Sequence, residues 1–224
     1  FTHHGWKQSL YRYSLRKKYQ HNITEIVDDN VDLEKPFVYF PLHLQPEQTT
    51  SIWGGKYTDQ LLAIERLSEK LPNGWFIYVK ENPGQNFYMR GDFFFERLKA
   101  IPNVKVVPSS MNTYKLLAKS KFVATITGTV GWEAISGGKN ALIFGWGVWY
   151  KTLPGVFEYH EDLDINDILN YNIDHEELES KLSDLYTKLG TGMIHCQEKK
   201  AFPDYDEESN KKYVIDSLEK ILYG

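Results

Sequence analysis

Residues 37–42, FVYFPL, form an unbroken apolar run with none of the polar alternation that a half-wet strand shows. A strand of this kind must be covered on both faces, which is the situation inside a parallel sheet flanked by helices. The pattern recurs. WFIYVKE (75–81), VKVVP (104–108), FVATIT (122–127) and NALIFG (140–145) predict four further strands. Between them, KYTDQLLAIERLSEKL, GDFFFERLKAI, NTYKLLAKS and VGWEAISGG predict helices. The first has Leu61, Leu62, Ile64, Leu67 and Leu71 at helical spacing, and Asn112 is placed to cap the third. Strands alternating with helices predict an α/β fold, a Rossmann-like doubly wound parallel sheet over residues 36–160. A helical connector, residues 1–35, precedes it. C-terminal helices, residues 161–224, are expected to pack on it.

Composition narrows the function classes. The 224 residues are 42% hydrophobic and 15% aromatic, which suits a packed globular chain. A formal net charge of −4 gives no global basic excess, so no nucleic-acid partner is expected. Cys196 is the one cysteine, which excludes an internal disulfide framework and suits a reducing compartment. The longest apolar stretch, ALIFGWGVWY, is about half of what a membrane span needs. A cytoplasmic protein is expected. The N-terminal FTHHGWKQSLYRYSLRKKYQ reads as a basic amphipathic helix: either a connector or a docking surface for a partner or a lipid headgroup at the inner membrane face. The first residue is Phe1 rather than Met, which fits a piece of a longer chain with an upstream domain.

Ligands on an open parallel sheet bind beyond the carboxyl ends of the strands. In TITGTVGWEA (125–134) a strand expected to end near Thr127 runs into a helix. Gly128 permits close backbone approach, Thr129 is placed to cap the helix, and the helix N–H groups and threonine hydroxyls can hold a phosphate. Glu133, one turn in, can accept hydrogen bonds from a ribose diol; a plain capped turn is the alternative. In VKENPG, Lys80 suits a phosphate counter-charge with Glu81 and Asn82 beside it, and Arg90 and Lys56 can assist from neighbouring loops; an exposed Lys-Glu pair is the alternative, which spacing alone slightly favours. In HLQPEQTT, His43, Gln45 and Glu47 alternate, and His43 is expected to titrate near neutral pH. No metal-ligand cluster accompanies them, so no metal is expected. Asp162/Asp164 and Asp204/Asp206 imitate the Asp-x-Asp pairs of sugar transferases but read as helix-start acids. His195 and Cys196 lack orienting partners for nucleophilic work.

Taken in order, the blocks at 37–50, 59–85, 94–107, 125–145 and 149–157 resemble the capsule polysaccharide biosynthesis proteins, which include transferases of 3-deoxy-manno-octulosonate (Kdo) from a CMP donor. The resemblance implies the C-terminal, donor-binding half of a GT-B glycosyltransferase. Its KEHP block falls on Lys80, Glu81, Asn82 and Pro83, with Asn82 where the family has a phosphate-contacting His. Its TGT-GWEA block falls on Thr127, Gly128, Thr129, Gly131, Trp132, Glu133 and Ala134. Its GKP becomes GKN at Asn140, expected to be a minor backbone change. The resemblance thus implies a nucleotide-sugar donor, CMP-linked and acidic, as substrate, with no resident cofactor. It implies a glycan or glycolipid acceptor and an upstream GT-B domain. The general base falls on that other domain or in the first loop, where Glu47 and His43 are the candidates. A non-catalytic nucleotide- or glycan-binding module, and a sugar-nucleotide epimerase, are the other functions considered.

Overall fold

A computed structural model describes residues 3–193, 202 and 204–223. Among these residues six strands form one all-parallel sheet: β1 (Phe37–Pro41), β2 (Phe76–Lys80), β3 (Val104–Val107), β4 (Val123–Thr125), β5 (Ala141–Ile143) and β6 (Val156–Glu158). Their spatial order is β3-β2-β1-β4-β5-β6. The chain therefore reverses direction across the sheet between β1 and β4, where a doubly wound fold opens a ligand crevice. The Rossmann-like architecture is as the alternation predicts. The sixth strand was not predicted: it has three residues, lies at the edge and is only half buried.

The helices of this region are α1 (His3–Ile26), α2 (Gln48–Ser51), α3 (Gln60–Lys70), α4 (Asp92–Lys99), α5 (Thr113–Lys119), α6 (Val130–Ser136) and α7 (Ile165–Asn170). In β1, Phe37, Val38, Tyr39 and Phe40 are all almost completely buried. Leu61, Ile64 and Leu67 of α3 cover one face of the sheet beside Ile77 and Val79 of β2. Fully burying each such side chain is worth about 1.5–3 kcal/mol. Asp59 caps α3 by accepting Leu61 N–H at 3.1 Å, and Asn112 caps α5 by accepting Lys115 N–H at 2.9 Å.

Helix α1 departs from the expected amphipathic form. Its apolar residues fall on two opposed stripes. Leu15, Tyr19, Ile23 and Ile26 turn inward, and Tyr19 meets Phe95 of α4 at 6.0 Å between ring centroids. Trp6, Leu10 and Tyr13 lie on the other side, exposed. Beyond α1, Val27 bridges Val106 and Asp28 N–H donates to Val106 O at 2.8 Å, which covers the free edge of β3.

By internal contacts the chain forms two compact units, residues 1–175 and 176–224. Helix α7 belongs to the first, with Ile165 and Ile168 in its core. The second holds most of α8 (His175–Lys188) and α9 (Glu207–Tyr223). There Ser217 Oγ donates to Thr191 O at 2.9 Å, and Asn210 Nδ2 donates to Met193 O at 2.9 Å. Among the described residues no helix is long and apolar enough to cross a membrane.

Asn140 does more than the minor change expected of it. Its buried amide donates to Ile168 O at 2.6 Å and Tyr171 O at 2.8 Å, which ties the end of α7 to the start of β5. Asn140→Ala removes both donors and leaves a carbonyl buried without its partner. The expected loss is about 1–3 kcal/mol, read by urea unfolding, together with faster amide exchange in residues 165–171.

Candidate functional site

The exits of β1, β2 and β4 converge on one cavity of about 430 Å³ at the carboxyl edge of the sheet. Pro41 pairs with Lys80 in register, so these two exits stand level. His43, Glu47, Lys80, Glu81, Asn82, Thr127, Gly128, Thr129 and Glu133 all line this cavity. Residues up to 90 positions apart in sequence are thus brought together by the strand order alone.

Lys80 is buried. Its ammonium donates to Met111 O at 2.6 Å and to Thr113 Oγ1 at 2.8 Å. Among the described residues it forms no ion pair, and burial lowers its pKa. Its charge is thus met by neutral acceptors alone, in the wall of the cavity.

Glu81 is not available to a ligand in the same way. Its carboxylate accepts Arg90 Nε at 2.8 Å and the Asn82 backbone N–H at 2.9 Å. Arg90, expected as an auxiliary phosphate contact, is instead completely buried. Its guanidinium also donates to Gln45 Oε1 at 2.9 Å and His43 O at 3.2 Å, and lies over the Phe94 ring at 4.3 Å. Gln60 and Gln85 complete the knot: Gln60 Nε2 donates to Gln45 Oε1 at 2.8 Å, and Gln85 Nε2 donates to Gln45 O at 3.0 Å. Lys56 lies 3.4 Å from Glu161, outside the cavity lining. Asn82 Oδ1 accepts Gly84 N–H at 2.9 Å, so the residue in place of the family's His forms a local side-chain turn.

His43 is held by its surroundings. Nε2 lies 2.9 Å from Thr125 Oγ1, and its backbone N–H donates to Gln60 Oε1 at 2.7 Å. Burial, aided by the nearby Arg90 charge, pushes its pKa down from 6.5 to about 4. The expected titration near neutral pH is therefore displaced, because the cationic form would be poorly solvated. Glu47 sits at the N-cap of α2 and makes no side-chain cap there.

The TITGTVGWEA turn also differs in detail from expectation. Strand β4 ends at Thr125, not Thr127. Thr129 occupies the N-cap of α6 but its hydroxyl caps nothing, because its backbone is already helical (φ −61°, ψ −16°) rather than extended. Thr127 Oγ1 donates to Thr49 O at 3.1 Å, linking this turn to the first loop. Gly128 is required for close approach: a Cβ there would stand 2.8 Å from Thr125 Oγ1 and 3.2 Å from His43 Cε1. Its N–H donates to Thr125 Oγ1 at 3.1 Å, and its carbonyl accepts the Tyr150 hydroxyl.

Sequence reasoning missed Thr113 and Thr125, the hydroxyl partners of Lys80 and His43, and the supporting role of Gln60, Gln85 and Tyr150. None carried a local signal: Gln60 follows the polar KYTD stretch and Gln85 lies in the polar loop ENPGQN. The acidic decoys resolve as predicted: Asp164 Oδ1 accepts Asn166 N–H at 2.9 Å and Asp206 Oδ2 accepts Ser209 N–H at 2.8 Å, both at helix starts. His195 and Cys196 lie outside the described residues. No metal-binding cluster occurs among the described residues.

Comparison with known proteins gives one family match. The model of the family described as capsule polysaccharide biosynthesis protein matches residues 1–163. No curated protein matches. Similar solved structures include the Thermosulfurimonas dismutans KpsC beta Kdo 2,7 transferase, at a TM-score of 0.47 and 16% identity over 74% of this chain and 52% of that chain. The UDP-GlcNAc 2-epimerase from Methanocaldococcus jannaschii follows at 0.44 and 13% identity, over 74% of this chain and 41% of that chain. The Thermosulfurimonas dismutans KpsC beta Kdo 2,4 transferase gives 0.39 and 19% identity, over 59% of this chain and 45% of that chain. The chain thus spans about half the length, or less, of these solved structures.

Two measurements probe the site's support. Arg90→Met leaves the Glu81 carboxylate buried without its cation, and the expected destabilisation is about 3–5 kcal/mol. Adding Glu81→Gln should return part of that loss in a double-mutant cycle. The second concerns pH. His43 has a folded pKa near 4 and an unfolded pKa of 6.5, so the unfolded chain binds the extra proton between these values. Its contribution is complete above pH 6.5 and is lost as pH falls toward 4, on the order of 3 kcal/mol in all. Urea unfolding across this range should show that slope, and His43→Gln should flatten it.

Proposed function

The chain belongs to the capsule polysaccharide biosynthesis protein family, and on that premise we propose that it is the donor-binding half of a GT-B glycosyltransferase acting on a nucleotide-activated sugar. A CMP-linked acidic sugar is the favoured donor. The observation that carries this is the cavity at the strand-order reversal, with the buried Lys80 ammonium in its wall and, among the described residues, no carboxylate paired to it. Its volume suits a nucleotide.

In this reading the donor phosphate lies against Lys80 and the Thr127–Thr129 turn, and Glu133 accepts hydrogen bonds from the ribose hydroxyls. As the glycosidic bond to phosphate breaks, negative charge grows on the leaving oxygen. A fixed ammonium in a partly dry site stabilises that charge without needing to reorganise. Burial lowers Lys80's proton affinity and an incoming anion raises it, which couples phosphate binding to the charged lysine. Glu47 is the group proposed to take the acceptor's proton. His43, kept neutral, offers a hydrogen bond beside it instead of acting as the base. The acceptor, a glycan or glycolipid, enters from the side of a second domain, and transfer needs both halves to hold the reactants in line.

Calorimetric titration with CMP, UDP and GDP tests this reading. CMP is expected to bind most tightly. Glu133→Ala should weaken it by about 1–3 kcal/mol without unfolding the chain, and 2′,3′-dideoxy-CMP should show no such difference between wild type and variant. Absence of binding for all three nucleotides, or an unchanged affinity in Glu133→Ala, contradicts the assignment.

A further inference from the structure

Beside the cavity stands a group of indoles for which neither the core nor the nucleotide has a use. Four of the chain's six tryptophans gather there. Trp132 packs on Trp149 with ring centroids 5.2 Å apart, and Trp53 meets Trp146 edge-on at 6.4 Å. Trp146 and Trp149 nevertheless remain 59% and 46% exposed. Trp53 follows α2 and Trp132 lies on α6, the two helices that present Thr49 and Glu133 to the cavity. The elements that carry these two indoles are thus the ones that bring Thr49 and Glu133 to the cavity wall.

This ledge is held rigidly. The backbone N–H of Trp146 donates to Trp53 O at 3.0 Å. A Cβ at Gly147 would stand 2.5 Å from Trp53 Cδ2, so the backbone there lies directly against the indole. Tyr150 sets its ring perpendicular to Trp149, with centroids 5.3 Å apart, while its hydroxyl is fixed on Gly128 O. Pre-ordered rings lose little entropy when a ligand covers them.

The chemistry of the surface selects its occupant. An indole face carries negative quadrupolar charge and attracts polarised C–H groups. Pyranose rings present such C–H faces, with hydroxyls around the rim. Glu133, next to Trp132 in the chain, and Thr49, four residues before Trp53, add groups suited to hydroxyls on the same elements. A protein-binding patch is depleted of glutamate at its centre. We propose that the Trp146–Trp149 ledge binds a saccharide chain through the apolar faces of neutral pyranose rings and leads its end toward the cavity. Identifying that chain as the acceptor rests on the transferase reading above; the binding of pyranose rings does not.

The test uses the chain with ¹⁵N-labelled indoles, titrated at millimolar concentration with cellohexaose, chitohexaose and maltohexaose. At least one should shift the indole N–H signals of Trp146 and Trp149. Removing either ring (Trp146→Ala or Trp149→Ala) should weaken that binding roughly two- to tenfold. Trp149→Phe, which retains a smaller ring, should fall between, and CMP affinity should stay at the wild-type value in all three variants. Saccharide binding without nucleotide binding would leave the ledge standing and remove the transferase reading. Nucleotide binding with no shift of either indole by any of the three hexasaccharides would overturn the ledge. So would indole shifts that follow protein concentration alone, since a second copy of the chain would then be the occupant.

Discussion

Strand β1 has no solvent face, and the rest of the first unit is arranged to satisfy that requirement. Four consecutive side chains, Phe37–Phe40, are buried, so helices must cover the sheet above and below. Hydrogen-bonded neighbours must flank it on both sides, and β2 and β4 do so. Two consequences follow. The sheet grows outward from β1 in both directions, giving the order β3-β2-β1-β4-β5-β6. A gap at the carboxyl edge then opens beside β1, where the exits of β1, β2 and β4 meet. The cavity is thus a product of how a doubly buried strand is enclosed.

Arg90 ties two of those exits, of β1 and β2, together. One guanidinium bonds the backbone of His43, the side chain of Gln45 and the carboxylate of Glu81. A buried charge is tolerated only when paired and fully bonded. That condition also fixes the geometry of two loops against each other. Lys80 and Glu81 are adjacent in sequence yet divide the work. The carboxylate goes inward to the arginine, and the ammonium goes to neutral acceptors at the cavity wall. Had Glu81 turned toward Lys80, the pair would have neutralised itself and left the arginine uncompensated.

Much of this was legible in the sequence. Interior parallel strands announce themselves by apolar runs, which is why β1, β2, β4 and β5 were found; β3 lies at an edge that Val27 and Asp28 cover, and it carries such a pattern too. The edge strand β6 needs no such run and was missed. The nine candidate residues were recognisable as polar groups at strand exits, and the parallel order carries all such exits to one edge. What each one does was not legible. The ion pair of Glu81 joins residues nine apart through a buried loop, and no local spacing signals it. His43 read as a near-neutral titrating group, because sequence does not reveal the desolvation that holds it neutral. Thr129 has the right identity for a cap, but its backbone dihedral angles decide against that role. Asn140 looked minor because its partners, the carbonyls of Ile168 and Tyr171, lie beyond the alternating pattern that was read.

The contact between Tyr150 and the Gly128 turn has a consequence for how this sequence can change. The tyrosine hydroxyl reaches the Gly128 carbonyl by passing over Gly131, where an added Cβ would run into the tyrosine ring at 2.8 Å. Positions 131 and 150 are therefore one decision made twice. A side chain at 131 is admissible only in a chain that has already given up the ring at 150, and a chain without that ring has lost the clamp on the cavity's floor. The order of change is therefore fixed: the ring at 150 goes first and takes the clamp with it, and only then can a side chain enter at 131.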